Sequence, residues 1–239
     1  MTKIGLGVIT YNRKPYLKQC LLALQECNWG GASEVVVVDD GSTDGTQEYL
    51  DEWDFISIKK ATNKGVGHSK NRALAALIEL GCDELFLIED DIIMKDPKTC
   101  IKYIAYARQK KIEHMNFGLH GPLNRDKGFI NNNMVWCYPD CVGAFSYYTK
   151  NVIDQVGYYD EKFVNAWEHV EHTYRICKAG LTTPFWQFAD HPDSLCMLEE
   201  IEGSIVNSSI RQDERWRKQM EEGQKYFIQK YGPVPRPKQ

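Results

Sequence analysis

The chain has 239 residues, enough for one large domain or two small ones with a sizeable core. Hydrophobic residues make up 43% and charged residues 26%, the balance of a globular protein, and a net charge of -4 gives no reason to expect nucleic acid or an anionic membrane as partner. No apolar run approaches the roughly 20 residues that span a bilayer, and the opening MTKIGLGVITYNR reads as a strand rather than a cleavable signal, so a cytoplasmic location is expected.

In chain order, Ile4 to Ile9 interleaves large residues with glycines and predicts a strand approached closely on one face by backbone or ligand. Pro15 suits the first turn of a helix whose inward stripe is Leu17, Cys20, Leu21 and Leu24. Glu34 to Val38 is uninterruptedly apolar after its first residue, the habit of a parallel strand buried on both faces. Ser42, Thr43 and Asp44 offer caps for a short helix through Leu50, and Phe55 to Lys59 predicts a third strand. After NKGVG, a helix with Ala73, Leu74, Leu77 and Leu80 inward stops at Gly81. Leu85 to Ile88 is a fourth strand, and Asp96-Pro97 opens a helix expected to turn Ile101, Ile104 and Ala105 inward. Repeated strand and helix imply an α/β fold with a mostly parallel sheet flanked by helices.

From His114 the periodicity fails. The stretch through Tyr148 is rich in asparagine, glycine and aromatics, and the residues from Val152 to Ala179 promise one helix. Asp213 to Lys230 predicts a C-terminal helix with Trp216, Met220 and Phe227 on one face, its mixed charges reading as a solvated face. The final PVPRPKQ reads as loose. The expected divisions are residues 1–112, residues 113–205, and residues 206–239 for helix and tail. The eight cysteines are expected as free thiols; Cys137 and Cys141 have no second pair nearby to complete a zinc site.

In an open parallel sheet, ligands bind outside the carboxyl ends of the strands. Here those ends carry Thr10-Tyr11, Asp39-Asp40 and Glu89-Asp90-Asp91, with Asn63 to Gly67 following the third strand. One acidic strand end is a helix cap. Two on one rim repel unless donors or a cation lie between them, and magnesium or manganese typically bridges carboxylates to substrate phosphates. The arrangement points to a nucleotide-diphosphate site.

The segments VITYNR, VVDDGSTDGT, NKGVGHSKNRAL and LFLIEDDI, in this order, resemble the inverting family 2 glycosyltransferases of the GT-A (Rossmann-like) fold. GAFSYYTKNVIDQVGYYDEKF, WEHVEHTYRICKAGL and His191 extend the resemblance into that family's acceptor half, from Ile4 to about Ser194. The resemblance implies a nucleotide-sugar half in residues 1–112 and an irregular acceptor-binding half in residues 113–205. It implies Thr10, Tyr11 and Arg13 around base and ribose, with Asp40 accepting from the base, usually uracil. Asp39, Asn63, Gly65, Lys70 and Asp90 complete the nucleotide set, Lys70 where many relatives carry an arginine near the diphosphate. Glu89 and Asp91 hold the place of the metal motif for Mn2+ or Mg2+, with His191 as a further ligand or phosphate contact. Trp167 would stack on a sugar.

The partners so implied are a nucleotide-sugar, usually a UDP-sugar, and a glycan or other hydroxyl acceptor. Inversion requires a base for the acceptor hydroxyl. Relatives commonly show Glu-Asp there, the Asp being the base; this chain has Glu168-His169. Either residue could serve, histidine being the side chain that changes charge near physiological pH, and Glu168 is favoured because a carboxylate stabilises developing positive charge on the sugar. The competing readings are a binding module that has lost its base, and a nucleotidyltransferase. Against the latter, no arginine-containing glycine loop follows the first strand.

Overall fold

The structure, a computed structural model, describes residues 2–54, 56–59, 62–120, 124, 127–140, 143–208, 212 and 214–235. Phe55, Cys141 and Asp213, on which expectations above depend, lie outside them.

The elements in chain order are β1 (Ile4–Thr10), α1 (Lys14–Glu26), β2 (Glu34–Asp39), α2 (Thr46–Leu50), β3 (Ile56–Lys59), α3 (Val66–Glu79), β4 (Glu84–Glu89), β5 (Ile92–Met94) and α4 (Thr99–Lys110). They continue with β6 (His114–Asn116), β7 (Phe129–Ile130), β8 (Trp136–Tyr138), β9 (Phe145–Thr149), α5 (Lys150–Val156), α6 (Glu168–Lys178), β10 (Phe188–Ala189), α7 (Ser194–Met197), β11 (Leu198–Glu200) and α8 (Trp216–Tyr231). The main sheet has the order β3-β2-β1-β4-β9-β6. The first four neighbours are parallel; β9 runs antiparallel to both β4 and β6.

Alternation along β1 and β4 sorts the core into two layers. Leu6, Val8, Phe86 and Ile88 face α1 and α4, whereas Leu85 and Leu87 face α3 through Ala73, Leu74 and Leu77. Close approach at β1 comes from helix α3 rather than from ligand or backbone: a Cβ on Gly7 would lie 2.8 Å from that of Ala73. The chain leaves β1 toward β2 and β3, then returns to place β4 on the other side of β1. That reversal makes the carboxyl ends of β1 and β4 the switch point, where a crevice opens.

Four local expectations are corrected. On α4 the buried residues are Cys100, Tyr103, Ile104 and Ala107; Ile101 is 48% exposed and Ala105 also faces out. The Tyr103 hydroxyl donates to buried Asp190 at 2.7 Å, which sets the helix's rotation. The region after His114 contributes β6 and β9 to the main sheet and two helices, α5 and α6, rather than one. The charges of α8 are not all solvated either: Lys230 reaches Asp160 at 2.8 Å and Glu171 at 2.9 Å, and Pro235 in the supposedly loose tail accepts a hydrogen bond from Trp186. No helix of the described residues is long and apolar enough to cross a membrane. Among the described residues no cysteine forms a disulfide.

Candidate active site

A cleft of about 560 Å³ opens at the switch point. Its floor is made of Thr10, Tyr11, Arg13, Asp40 and Asn63 together with Glu89, Asp90 and Asp91. Its far side comes from Asn165 to Val170 at the start of α6, and from Trp186, Ile205, Trp216 and Met220.

Strand alternation divides the acidic triplet. Asp90 follows the Phe86–Ile88 face and meets Thr10, whose hydroxyl donates to it at 2.7 Å. The Arg13 guanidinium spans Asp90 (2.9 Å) and Asp91 (3.1 Å) and also donates to the Ser204 carbonyl at 3.0 Å. Burial drives Asp90 above the ordinary carboxylate range against the pull of Arg13, with Asp91 adding to the rise. Asp91 is buried too, yet hydrogen bonding and charge from His120, with Arg13, hold it below that range. His120 Nε2 stands 3.4 Å from Asp91 Oδ2. Asp91 Oδ1 is buried with no hydrogen-bond partner among the described residues.

Glu89 follows the Leu85–Leu87 face toward α3, where Lys70 lies one turn before Ala73 and Leu74. The Lys70 ammonium, fully buried, is 2.9 Å from Glu89, 3.0 Å from the Gly143 carbonyl and 3.4 Å from Glu168. Burial opposes its charge, but the two carboxylates raise it above the ordinary lysine range. Glu168 Oε1 also meets His169 Nδ1 at 3.0 Å, so that nitrogen carries the proton. Burial opposes ionisation of Glu168, and the charges of His169 and Lys70 outweigh it and hold the carboxyl at about 2.

Asp40 accepts from the backbone of Lys64 and Gly65, both at 2.9 Å, and Asn63 accepts from Gly65 at 2.9 Å. Gly65 adopts φ +93, a conformation that side chains rarely take, and so turns its N–H back to the Asp40 carboxylate.

Residues 6–78 match the profile of the family described as Glycosyl transferase family 2. Over 224 residues the chain is 26% identical to an uncharacterized glycosyltransferase of Acanthamoeba polyphaga mimivirus, covering 87% of this chain and 85% of the relative. Among solved structures, a fragment of S. aureus TarS superposes with TM-score 0.55 at 16% identity over 88% of this chain. The same fragment with UDP-GlcNAc aligns at 0.52. The mannosyltransferase PcManGT of Pyrobaculum calidifontis, solved with GDP-Man and Mn2+, gives 0.57 at 18% identity over 76% of this chain. The chain spans 64% of the TarS fragment and 55% of the mannosyltransferase. In fold it is of the GT-A type, and residues 6–78 carry the family 2 glycosyltransferase profile.

Four residues have a different setting from the one the resemblance implied. Asp39 is buried and turned into the β2–α2 loop, accepting from Ser42 and from Gln47 at 2.8 Å; it ties that loop together, and it does not line the cleft. Lys70 does not line it either, being sequestered by Glu89 and Glu168. Glu89 lines the cleft, but as the partner of Lys70. His191 packs against Tyr103 and Tyr106, at ring distances of 5.6 and 5.1 Å, while its Nδ1 accepts from the Asp193 backbone. The imidazole beside Asp91 belongs to His120. Sequence reading missed it because it sits in the aperiodic Gly118-Leu119-His120 stretch, which Asp190 anchors through the Gly118 N–H at 3.0 Å.

The cleft fits a divalent cation in one restricted sense. Among the described residues no three His, Cys, Asp or Glu side chains are close enough to hold a metal by themselves. The Asp91 oxygen, without a partner among the described residues and with His120 next to it, is nevertheless an oxygen and nitrogen pair of the kind that magnesium or manganese completes with phosphate and water.

Proposed function

We propose that the protein transfers a sugar, with inversion, from a nucleoside-diphosphate sugar to an acceptor hydroxyl. The donor we infer is a UDP-sugar, and the reaction uses Mn2+ or Mg2+. The observation that carries this reading is the joining, in one cleft, of the Thr10–Tyr11–Asp40 rim, the unpartnered Asp91 oxygen and the Glu168–His169 pair. A divalent ion held by Asp91 and His120 would supply positive charge where negative charge grows on the departing diphosphate. The TarS complex with UDP-GlcNAc and the mannosyltransferase complex with GDP-Man and Mn2+ make both the donor class and the ion reasonable for this fold.

The acceptor oxygen attacks the anomeric carbon from the face opposite the diphosphate while its proton passes to the enzyme. The carbon–oxygen bond to the diphosphate breaks and its electron pair leaves with the phosphate. Glu168 suits the proton-accepting role less well than the sequence implied. It is buried, committed to Lys70 and His169, and far too acidic at about 2 to compete for a hydroxyl proton. His169 lines the same cleft, and Glu168 fixes its tautomer and orientation. His169 is therefore the base in this reading and Glu168 its positioning residue. The thiols and the absence of a spanning helix among the described residues accord with a cytoplasmic enzyme.

A panel of nucleotide sugars with manganese or magnesium, read by released nucleoside diphosphate, tests the activity. Turnover with a UDP-sugar is expected. If no donor turns over while UDP still binds, the reading fails in favour of a binding module.

A further inference from the structure

Helix α8 is built into the cleft wall. Phe227 is fully buried against Trp167, Tyr174 and Tyr231, at ring distances of 5.5, 5.2 and 5.1 Å. Gly223 seats on Trp167 so closely that an added Cβ would lie 3.0 Å from the indole. At the helix's last turn, Lys230 bridges Asp160 and Glu171, and the Tyr226 hydroxyl donates to Asp160 at 2.9 Å. These contacts fix α8 to α6, the helix that begins with Glu168 and His169. With the helix so fixed, positions one, two and three turns before Phe227 fall on the same face. They bring Trp216 and Met220 into the cleft, where Trp186, Phe188 and Ile205 complete an apolar wall.

Neither indole is closed off: Trp186 and Trp216 are half-buried, and Met220 keeps 37% of its surface exposed. Trp186 is held in place by its hydrogen bond to the Pro235 carbonyl. No step of the donor chemistry above uses any of them.

We propose that this wall is the acceptor subsite, and that it takes a carbohydrate ring whose apolar C–H face stacks on Trp216 and Trp186. The proposal rests on the glycosyl-transfer reading and names the acceptor class for the same cleft. Polar groups decide between a sugar and a lipid chain. Asp140 and Asn165 interrupt the same lining, the Asn165 oxygen being held by the Val66 N–H. A prenyl or acyl chain would strip water from them without returning hydrogen bonds, whereas sugar hydroxyls can donate to the Asp140 carboxylate and accept from the Asn165 amide. Aromatic faces beside a few fixed polar groups are the composition of a pocket that orients an amphipathic ligand. Fixing α8 to α6 also keeps the stacked ring in register with His169, as a near-attack geometry requires.

The test uses the full chain loaded with UDP and manganese, on an array of defined oligosaccharides, with farnesyl phosphate in detergent as the lipid probe. Wild type is expected to retain a subset of glycans and no farnesyl phosphate. Trp216→Ala should weaken glycan retention roughly tenfold, the scale of one aromatic contact. Unfolding temperature and UDP affinity, measured alongside, exclude misfolding as the cause. Met220→Glu, which closes the wall with charge, should weaken retention as well. Glycan retention equal in both variants and wild type overturns the location. Farnesyl phosphate retained by wild type and lost in the variants overturns the carbohydrate class, and retention of neither probe overturns the subsite. Donor hydrolysis to UDP, followed in parallel without acceptor, separates the two readings. If hydrolysis persists while glycans fail, only this inference falls.

Discussion

At the end of β4, successive acids enter two charged clusters that differ in one respect. In the cluster of Asp90, Asp91, Arg13 and His120, one buried carboxylate oxygen has no hydrogen-bond partner among the described residues. In the cluster of Glu89, Lys70, Glu168 and His169, both acids lie within ion-pair distance of the same ammonium. A buried carboxylate oxygen is costly to leave without a hydrogen bond, and in the proposed reaction the metal and diphosphate would supply its partner. The second cluster is balanced internally, which suits holding a base in place. The difference between a binding centre and a positioning centre lies in the hydrogen-bond count, not in the residue types.

The largest effect should come from breaking the balanced cluster. Lys70→Met would leave Glu89 and Glu168 without their shared cation in a buried setting, and should destabilise the fold by about 3–5 kcal/mol. Denaturant unfolding measures it, and the double variant with Glu168→Gln should recover part of the loss. A change under about 1 kcal/mol would mean that water or a neighbour already compensates for the lysine.

Acid titration separates the clusters further. The Glu168 carboxyl is depressed to about 2 in the fold, below its ordinary value near 4.5. Its stabilisation is therefore complete above about 4.5 and lost as pH falls toward 2, at a slope of roughly 1.4 kcal/mol per pH unit for one proton. Asp90 works in the opposite sense. Its raised value means that its ionised form strains the fold, so protonation relieves it. Glu168→Gln should flatten the acid limb of the stability curve; an unchanged slope in that variant would assign acid unfolding to other groups.

Between donor groups, the clusters predict unequal metal dependence. Asp91→Asn should weaken manganese-dependent UDP binding by more than about tenfold, while Glu89→Gln should leave the dependence on metal in place. Calorimetry with and without chelator decides. Equal loss in the two variants would return Glu89 to the metal set that the sequence implied.

How far this was legible follows from the same residues. The buried strands and the acids at their ends could be read, because continuous apolar runs fix both strand position and the side on which the chain exits. Alternation alone could have paired Glu89 with α3, since Leu85 and Leu87 share its face. Asp39 was readable as a loop brace from Ser42 three residues on. His120, Trp186 and Trp216 were not legible as cleft residues. They enter from aperiodic segments or from a helix whose docking depends on Gly223 and Phe227, and no local period encodes where such pieces meet. A choice between His191 and His120 likewise rests on packing: Tyr103 and Tyr106 occupy the first, and Asp91 lies beside the second.

The smallest expected effect is also the one that tests how the balanced cluster acts. If His169 takes the acceptor proton, it must be unprotonated to do so, and transfer falls on the acid side of its titration. The Glu168 carboxylate lies 3.0 Å from Nδ1 and orients the ring. Glu168→Gln keeps an oxygen that can accept from Nδ1–H. The rate should then fall only modestly, and the acid limb of kcat should persist. In His169→Asn the limb should vanish along with most of the transfer, UDP binding being kept. If Glu168 were the base, the outcome would invert: Glu168→Gln would be inactive at every pH, and His169→Asn would retain a limb set by the carboxylate.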